Sequence, residues 1–377
     1  MVYLDCNAST PMEPDVAEVM GQWLAHECGN ASSRTHEYGL KAKRAVGQAR
    51  KYVAEIAQTS PEEVVFTSGA TESNNLAILG LAAAATSSGK KHIITTAIEH
   101  SAVSAPIEWL RQASGFEVTV LPCGADGLVE PDELRKALRS STSLVSIMQV
   151  NNETGVVQDI PGFASVLADH PAFFHVDGAQ GFGKEIGGSQ NSRVDLLSVT
   201  AHKIFGPQGI GALIVRRGSG REVPLQPLVH GGGQERGLRP GTQPVHLIVG
   251  FGMAAKLAQR DFQMREALNR RFRKELLGGL SELPLTFNGE QSKVLPHVLN
   301  LSVAGISSEA AMVALRNLVA VSNGSACSSA RYEPSHVLRA MGLGTEGLEG
   351  AMRFSWCHMT PSVDWQAVRC VFEGFLS

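Results

Sequence analysis

The amino-acid sequence predicts an α/β fold, with a mainly parallel β-sheet that is covered by helices on both faces. Short apolar runs typical of buried strands alternate with helical or loop segments as far as Arg216. A chain of 377 residues is also too long for one small core, so we expect a large domain and a smaller one. The strand candidates are Val64–Thr67, His92–Thr96, Glu117–Leu121, Leu144–Val150, Phe173–Asp177, Val194–Val199 and Gly211–Arg216.

The helices are predicted from apolar residues that recur at helical spacing. His36–Gln58 has such a row, with lysine and arginine on its other face. Pro244–Leu280 predicts one or two long helices, and Ser308–Leu318 predicts a helix capped by Ser308. Between them, Pro284–Val303 is typical of strands in an α+β domain. The helical residues expected to be buried are Leu247, Phe251, Leu257, Phe262, Leu268, Phe272, Leu276, Ala311, Val313, Leu315 and Leu318.

Composition and charge argue against several classes of function. The net charge is -3 and there is no long basic run, so we expect no direct binding to nucleic acid. Acidic side chains such as Asp5 and Glu13 in the first 20 residues argue against a signal peptide. The longest apolar run, near Ala77–Ala85, is far too short to span a membrane. We therefore expect a cytoplasmic protein that does not bind membranes.

The six cysteines form no C-x-x-C pair, so zinc ribbons, iron–sulfur ligation and thioredoxin-like redox chemistry are poorly supported. We expect no bound metal. Scattered cysteines in a long chain are typical of the reducing cytosol rather than of a disulfide scaffold. The cysteines are Cys6, Cys28, Cys123, Cys327, Cys357 and Cys370.

The central motif is Ser198–Gly211, which reads SVTAHKIFGPQGIG and contains Lys203 just after a predicted buried strand. Desolvation at such a position disfavours the ammonium form of a lysine. A neutral amine can form a Schiff base with a carbonyl, most often that of pyridoxal 5′-phosphate (PLP). A single lysine is usually exposed, so this interpretation depends on the neighbouring motifs.

Two further motifs fit PLP chemistry. Asp177 ends another buried strand, and PLP needs a carboxylate beside its pyridine nitrogen. The strand Val64–Thr67 runs into a turn of small residues and then into a helix that begins near Thr71. Backbone N–H groups at a helix N-terminus bind phosphate, although an ordinary capped helix would look similar. We expect the turn, Asp177 and Lys203 to meet at one edge of the sheet.

With these motifs the chain resembles the cysteine desulfurases of the IscS/NifS type. The resemblance covers nearly the whole length, from Tyr3–Pro11 to Arg353–Ser355. The matching motifs are TSGATES at 67–73, EH at 99–100, VNNETGV at 150–156, HVD at 175–177, HK at 202–203, HGGG at 230–233 with ER at 235–236, and GSAC at 324–327.

The resemblance implies a fold-type I PLP-dependent transferase, with a seven-stranded sheet in the large domain and a smaller α+β domain. It places the large PLP-binding domain at residues 16–255, and the small domain at residues 1–15 and 256–377. It further implies an obligate homodimer. The reaction would convert L-cysteine to L-alanine, and the sulfur would pass to an acceptor protein.

The resemblance also implies the residues of the site. Lys203 would remove the Cα proton, and His100 would stack on the pyridine ring and carry protons. Asn152 and Arg353 would bind the substrate carboxylate, and Thr242 would reach the phosphate in the partner subunit. The residues implied to bind the cofactor are Ala70, Thr71, His100, Asn152, Asp177, Gln180, Thr200, His202, Lys203 and Thr242.

Cys327 is the candidate nucleophile. Small residues surround it in VSNGSACSSA, at 321–330, and such residues predict a surface loop with freedom to move. The cysteine must attack a sulfur in the cofactor pocket and then carry it out as a persulfide. Burial as a small apolar residue suits Cys123, Cys357 or Cys370 better.

The sequence departs from the family at two points. Ala201 stands where glycine usually precedes His-Lys, which is a small change. The sequence also ends sooner after Arg353 than in iron–sulfur desulfurases, whose tail helps to dock the scaffold, and this leaves the pathway open. The acceptor could serve iron–sulfur assembly, tRNA thiolation or, as in the DndA type, DNA phosphorothioation. The alternatives are a selenocysteine lyase or another fold-type I lyase or aminotransferase, which would not need Cys327, and a protein that mainly scaffolds a sulfur-transfer complex.

Overall fold

The structure is a computed structural model, and it describes residues 1–217, 222–323 and 334–376. The strands in chain order are β1 (Val2–Tyr3), β2 (Val64–Thr67), β3 (His92–Thr96), β4 (Glu117–Leu121), β5 (Thr142–Met148), β6 (Phe173–Asp177), β7 (Leu196–Thr200), β8 (Gly211–Val215), β9 (Leu285–Phe287), β10 (Val298–Val303), β11 (Val319–Ala320) and β12 (Ala351–Ser355). The α-helices are α1 (Pro14–His26), α2 (Glu37–Ile56), α3 (Ala70–Leu79), α4 (Ala82–Ser87), α5 (Ser101–Ser114), α6 (Pro131–Ala137), α7 (Ile160–Val166), α8 (Val245–Arg260), α9 (Phe262–Gly279), α10 (Ser308–Leu315), α11 (His336–Ala340), α12 (Thr345–Glu349) and α13 (Trp365–Leu376).

A seven-stranded sheet forms the centre of the molecule, in the order β2-β8-β7-β6-β5-β3-β4. Adjacent strands from β7 to β4 pair in parallel, whereas β8 runs antiparallel to both β7 and β2. Strands β6 and β7 are almost fully buried, as expected when helices cover both faces of a parallel sheet. The predicted α/β fold with a mainly parallel seven-stranded sheet is confirmed.

The remaining strands lie outside this sheet. Strands β12, β10 and β9 form an antiparallel sheet, and β1 pairs in parallel with β11. Leu4, Phe272, Leu301, Phe354 and Trp356 belong to a hydrophobic core separate from that of the large sheet. The predicted domain boundaries, at residues 15/16 and 255/256, stay a prediction. Within the described ranges, none of the helices is long and apolar enough to cross a membrane.

The burial of α9 and α10 differs from the prediction. Leu268 is 39% exposed and Val313 is 62% exposed. The helical phase restarts at α9, because α8 ends at Arg260, so the buried row of α9 includes the polar residues Arg265 and Asn269. Arg265 is tolerated there because it forms an ion pair with Glu13 at 2.7 Å. The N-cap of α10 is Ser307, one residue before the predicted Ser308.

Candidate active site

Ten of the twelve predicted site residues line one cavity of about 470 Å³, at the edge of the sheet where the parallel strands end. This volume lies within the usual range for small-molecule sites. The ten residues are Ala70, Thr71, His100, Asn152, Asp177, Gln180, Thr200, His202, Lys203 and Arg353.

Asp177 brings a buried carboxylate to this cavity. It is the last residue of β6, and its side chain is held on both oxygens. Asn74 Nδ2 donates to Oδ2 at 2.7 Å, and the backbone N–H of Ala179 donates to Oδ1 at 2.9 Å. These two donors fix the orientation of the carboxylate, as a partner for a pyridine nitrogen requires.

Lys203 lies one strand away, in the single turn of 3₁₀-helix that follows β7. Its Nζ donates to the backbone carbonyl of Asn7 and, at 2.8 Å, to that of Ala8. Gln180 Nε2 donates to the same Asn7 carbonyl at 2.9 Å. The N-terminal segment therefore holds the lysine amine at the cavity.

The turn before α3 has the geometry of an anion site. Gly69 is its N-cap, with a φ of 155° that an L-residue rarely adopts. A Cβ on Gly211 would come within 2.7 Å of Gly69 Cα, so β8 packs closely against this turn. The first N–H groups of α3 have no partner within the helix, and they open toward the cavity lined by Gly69, Ala70 and Thr71.

Two histidines border the cavity, and both have lowered pKa values. Burial lowers the pKa of His100, and Asp177 partly opposes this effect. Burial, reinforced by the charges of Lys203 and Lys184, lowers the pKa of His202 to about 4. Both imidazoles are therefore neutral at pH 7, so His100 can accept a proton and His202 contributes hydrogen bonds rather than charge.

Arg353 enters from β12 and is almost completely buried. Nη1 donates to the backbone carbonyl of Asn152 at 2.8 Å, and Nη2 donates to Asp5 Oδ1 at 2.6 Å. Among the described residues, Nε has no hydrogen-bond partner. A guanidinium has five N–H donors, so these two bonds leave others for a carboxylate in the cavity that Arg353 lines.

Two predicted site residues are not at this cavity. Thr242 is exposed and does not line it, and its predicted contact in a partner subunit stays a prediction. Cys327 lies in 324–333, outside the described residues, so its predicted loop and role also stay predictions.

Other residues of the site were not predicted. Asn74 holds Asp177, and Asn7 and Ala8 hold Lys203. Asn74 Oδ1 is buried, with no hydrogen-bond partner in the described part of the chain. A polar side chain on the buried face of α3 was the available signal for Asn74, because a buried polar group usually has a hydrogen-bond partner inside the protein.

Glu99 is a buried carboxyl group behind the cavity. Thr96 Oγ1 and the backbone N–H of Met148 donate to Oε1 at 2.7 and 2.8 Å, whereas Oε2 has no partner among the described residues. Burial dominates these bonds and raises the pKa of Glu99 from 4.5 to about 8. Glu99 is therefore protonated and neutral at pH 7.

This pKa has a consequence for stability. Between about pH 5 and pH 8 the folded state keeps the proton of Glu99, whereas the unfolded state has lost it, so this group makes stability fall as the pH rises. Glu99→Gln is expected to make the slope of the free energy of unfolding against pH more positive, by up to about 1.4 kcal/mol per pH unit. Urea unfolding of both proteins across this range measures the difference.

Glu62→Gln is the matched control, because Glu62 is an exposed carboxyl. Its pH dependence should equal that of the wild type. An unchanged slope in Glu99→Gln would show that Glu99 is ionised in the folded protein.

The chain belongs to the aminotransferase class-V family, whose family model matches residues 2–368. Its cofactor is PLP, on which these enzymes depend.

Within this family the chain is similar to a protein described as a cysteine desulfurase and to two proteins of known structure, DndA and SspA. It is 45% identical to cysteine desulfurase IscS of Vibrio cholerae, over 96% of this chain and 89% of that protein. The crystal structure of DndA from Streptomyces lividans is 44% identical with a TM-score of 0.81, and the match covers 92% of this chain and 97% of that one. A structure of SspA in complex with cysteine is 37% identical with a TM-score of 0.83, and covers 94% and 98%.

The residues at the cavity fit PLP. The cavity combines an open helix N-terminus for a phosphate, an anchored carboxylate for a pyridine nitrogen, and a lysine amine for an aldehyde. Gly69 and Gly211 keep side chains away from the anion site.

Proposed function

We propose that this protein is a cysteine desulfurase, which removes the sulfur of L-cysteine and releases L-alanine. The observation that carries the proposal is the single cavity that brings together Asp177, Lys203, His100 and Arg353. Their chemistry matches an amino acid bound beside PLP, with its carboxylate on a guanidinium. The similarity to cysteine desulfurase IscS over 96% of the chain supports this substrate.

Each group of the cofactor has a candidate partner. The turn Ser68–Thr71, with Thr200 and His202, would bind the phosphate, and Lys203 Nζ would bond to the aldehyde carbon. Asp177 would face the pyridine nitrogen. When bound, PLP supplies an electron sink that stabilises negative charge at the substrate Cα.

The residues around the substrate divide the remaining work. Arg353 and the Asn152 amide bind the substrate carboxylate. Lys203 Nζ, which would hold the aldehyde of PLP before the substrate binds, would remove the proton from the substrate Cα. The neutral imidazole of His100 lies on the same cavity and exchanges a proton with the substrate thiol.

Cys327 completes the proposed reaction. Its thiolate attacks the sulfur of the substrate, a new S–S bond forms, and the Cβ–S bond breaks. The electron pair of that bond stays with the carbon, which is protonated and leaves as alanine. One L-cysteine and one protein thiol therefore give one alanine and one protein persulfide. The persulfide then passes its outer sulfur to an acceptor protein.

The assembly is also part of the proposal. We expect a homodimer, in which Thr242 of one protomer contacts the phosphate in its partner. The acceptor could belong to iron–sulfur assembly, tRNA thiolation or DNA phosphorothioation, since the chain is about equally similar to IscS and DndA. A selenocysteine lyase would have a similar cavity, and its preference for selenocysteine would distinguish it.

The test uses the purified protein loaded with PLP. We expect a visible absorbance band, and equal amounts of alanine and sulfide when L-cysteine and a thiol reductant are added. Without the reductant, alanine should stop at about one turnover per protomer, because the persulfide blocks Cys327. A band with no sulfur release would move the function to another lyase or an aminotransferase. No band after PLP is supplied would overturn the proposal.

Arg353→Ala tests the carboxylate anchor. We expect the KM for L-cysteine to rise by about 10- to 100-fold, because a charge-assisted pair of hydrogen bonds is lost. Steady-state rates over a range of L-cysteine give KM, and the cofactor absorbance gives the affinity for cysteamine. Cysteamine lacks the carboxylate, so its affinity should change little.

Asp5→Asn is the matched control, since it removes the ion pair of Arg353 but keeps the guanidinium. Its KM should stay within a few-fold of the wild type. An equal rise in KM for both variants, or an equal loss of cysteamine binding, would show that Arg353 is only structural.

A further inference from the structure

Cys6 and Cys357 are two free thiols in contact outside the active-site cavity. Cys6 follows β1 and Cys357 follows β12. The backbone holds them side by side, because Asp5 and Ser355 form a parallel bridge and Cys6 N–H donates to the Ser355 carbonyl at 3.0 Å. Both side chains pack in one small buried cluster with Phe205. Two thiols in contact need little movement to form a disulfide.

A second cavity, of about 350 Å³, reaches this thiol pair from another side of the N-terminal segment. Its walls are largely apolar and include Tyr3, Pro11, Met359 and Pro361. Both cysteines line it although each residue is only 2–4% exposed. A small uncharged molecule fits such walls, whereas a charged peptide or a protein would not.

The two thiols are not equivalent. The neighbouring Cys6 thiol, helped by Thr360 Oγ1 at 3.6 Å from Cys357 Sγ, lowers the pKa of Cys357. The neighbouring Cys357, together with burial, raises the pKa of Cys6. Cys357 therefore ionises more readily than Cys6, which keeps its proton. An attacking thiol and a resolving thiol differ in this way.

We propose that Cys6 and Cys357 form a dithiol site that exchanges with small uncharged disulfides entering through the second cavity. The Cys357 thiolate attacks one sulfur of the disulfide RS–SR, whose S–S bond breaks, and RS⁻ leaves and takes up a proton. Cys6 then attacks Cys357 Sγ, and the second RS⁻ leaves with the proton of Cys6. The two protein thiols are oxidised to one disulfide, and RS–SR is reduced to two RSH.

The site is independent of the proposed desulfurase reaction, because it needs neither PLP nor Cys327. Cys6 is nevertheless adjacent in sequence to residues of the active site. Cys6 directly precedes Asn7 and Ala8, whose carbonyls accept from Lys203 Nζ. Its oxidation therefore changes the segment that positions the catalytic lysine.

The test treats the PLP-loaded wild-type protein with bis(2-hydroxyethyl) disulfide under native conditions. The reaction is stopped with acid, and the protein is digested with trypsin and endoproteinase Asp-N without reduction. This digest isolates Cys6 in Asp5–Pro14 and Cys357 in Phe354–Val363. Mass spectrometry should find these two peptides linked, with a mass two hydrogens below their sum.

Single variants separate the two thiols. Cys6→Ser should accumulate the mixed disulfide on Cys357, and Cys357→Ser should lower modification of Cys6 by about tenfold or more. Cys370→Ser, which removes an exposed thiol, should leave the linked peptide unchanged. If Cys6→Ser does not fold, Cys6→Ala serves in its place. A linked peptide that forms only in denaturant, or Cys6 that reacts as fast without Cys357, would overturn the proposal.

Discussion

Replacing Lys203 with alanine is expected to reduce the formation of alanine from L-cysteine by about 10³-fold or more. In the proposed reaction Nζ both holds the cofactor and moves the Cα proton, so one substitution removes two functions. Borohydride reduction provides a readout that does not depend on turnover. In the wild type it should attach the mass of the reduced cofactor to the peptide Val194–Arg216, and in the variant it should not.

Lys203→Arg is the sharper control. Arginine keeps a cation that can donate to the carbonyls of Asn7 and Ala8, but its guanidinium does not bond to an aldehyde. The variant should therefore melt near the wild-type temperature and still lack both activity and the labelled peptide. A variant of Lys203 that keeps its rate within about tenfold would assign the proton transfer to another group.

Replacing Cys327 with serine is expected to lower sulfide release by about 10³-fold or more, while the cofactor band remains. A hydroxyl cannot take up sulfur as a persulfide, and the groups that hold PLP are elsewhere in the chain. Alanine and sulfide should be measured in the same sample. In the wild type, alkylation after L-cysteine should add one extra sulfur to the peptide Asn317–Arg331.

Cys370→Ser controls for the loss of a thiol, because Cys370 is exposed and does not line the active-site cavity. It should release sulfide at the wild-type rate. Sulfide release by Cys327→Ser within about tenfold of the wild type would be incompatible with a persulfide on that residue.

Most of the large sheet could be predicted from the sequence, and the reason is local. The strands β6 and β7 are short apolar runs buried on both faces, so their positions and the polar residues at their ends are visible in the sequence. Because parallel strands end at one edge, Asp177 and Lys203 had to be neighbours. The structure confirms this, because both residues line the same cavity.

The parts that could not be predicted depend on contacts between distant segments. Nothing near Asn7 in the sequence indicates that its carbonyl accepts from Lys203, or that Asp5 forms an ion pair with Arg353. The exposure of Leu268 could not be predicted either, because the spacing of apolar residues does not reveal that a new helix, α9, begins after Arg260. Such features arise from tertiary packing, which overrides local pattern.

The N-terminal segment, Asp5–Ala8, connects the active site to β12, the last strand that the structure describes. Asn7 N–H donates to Ser355 Oγ at 2.9 Å, and Asp5 holds Arg353. These contacts join the two ends of the chain across nearly its full length, so the loop they close is among the longest possible for this protein. Arg353 lies in β12 itself, so it reaches the cavity only after that strand has been synthesised. A ribosome-bound chain that lacks β12 therefore lacks the guanidinium side of the cofactor site.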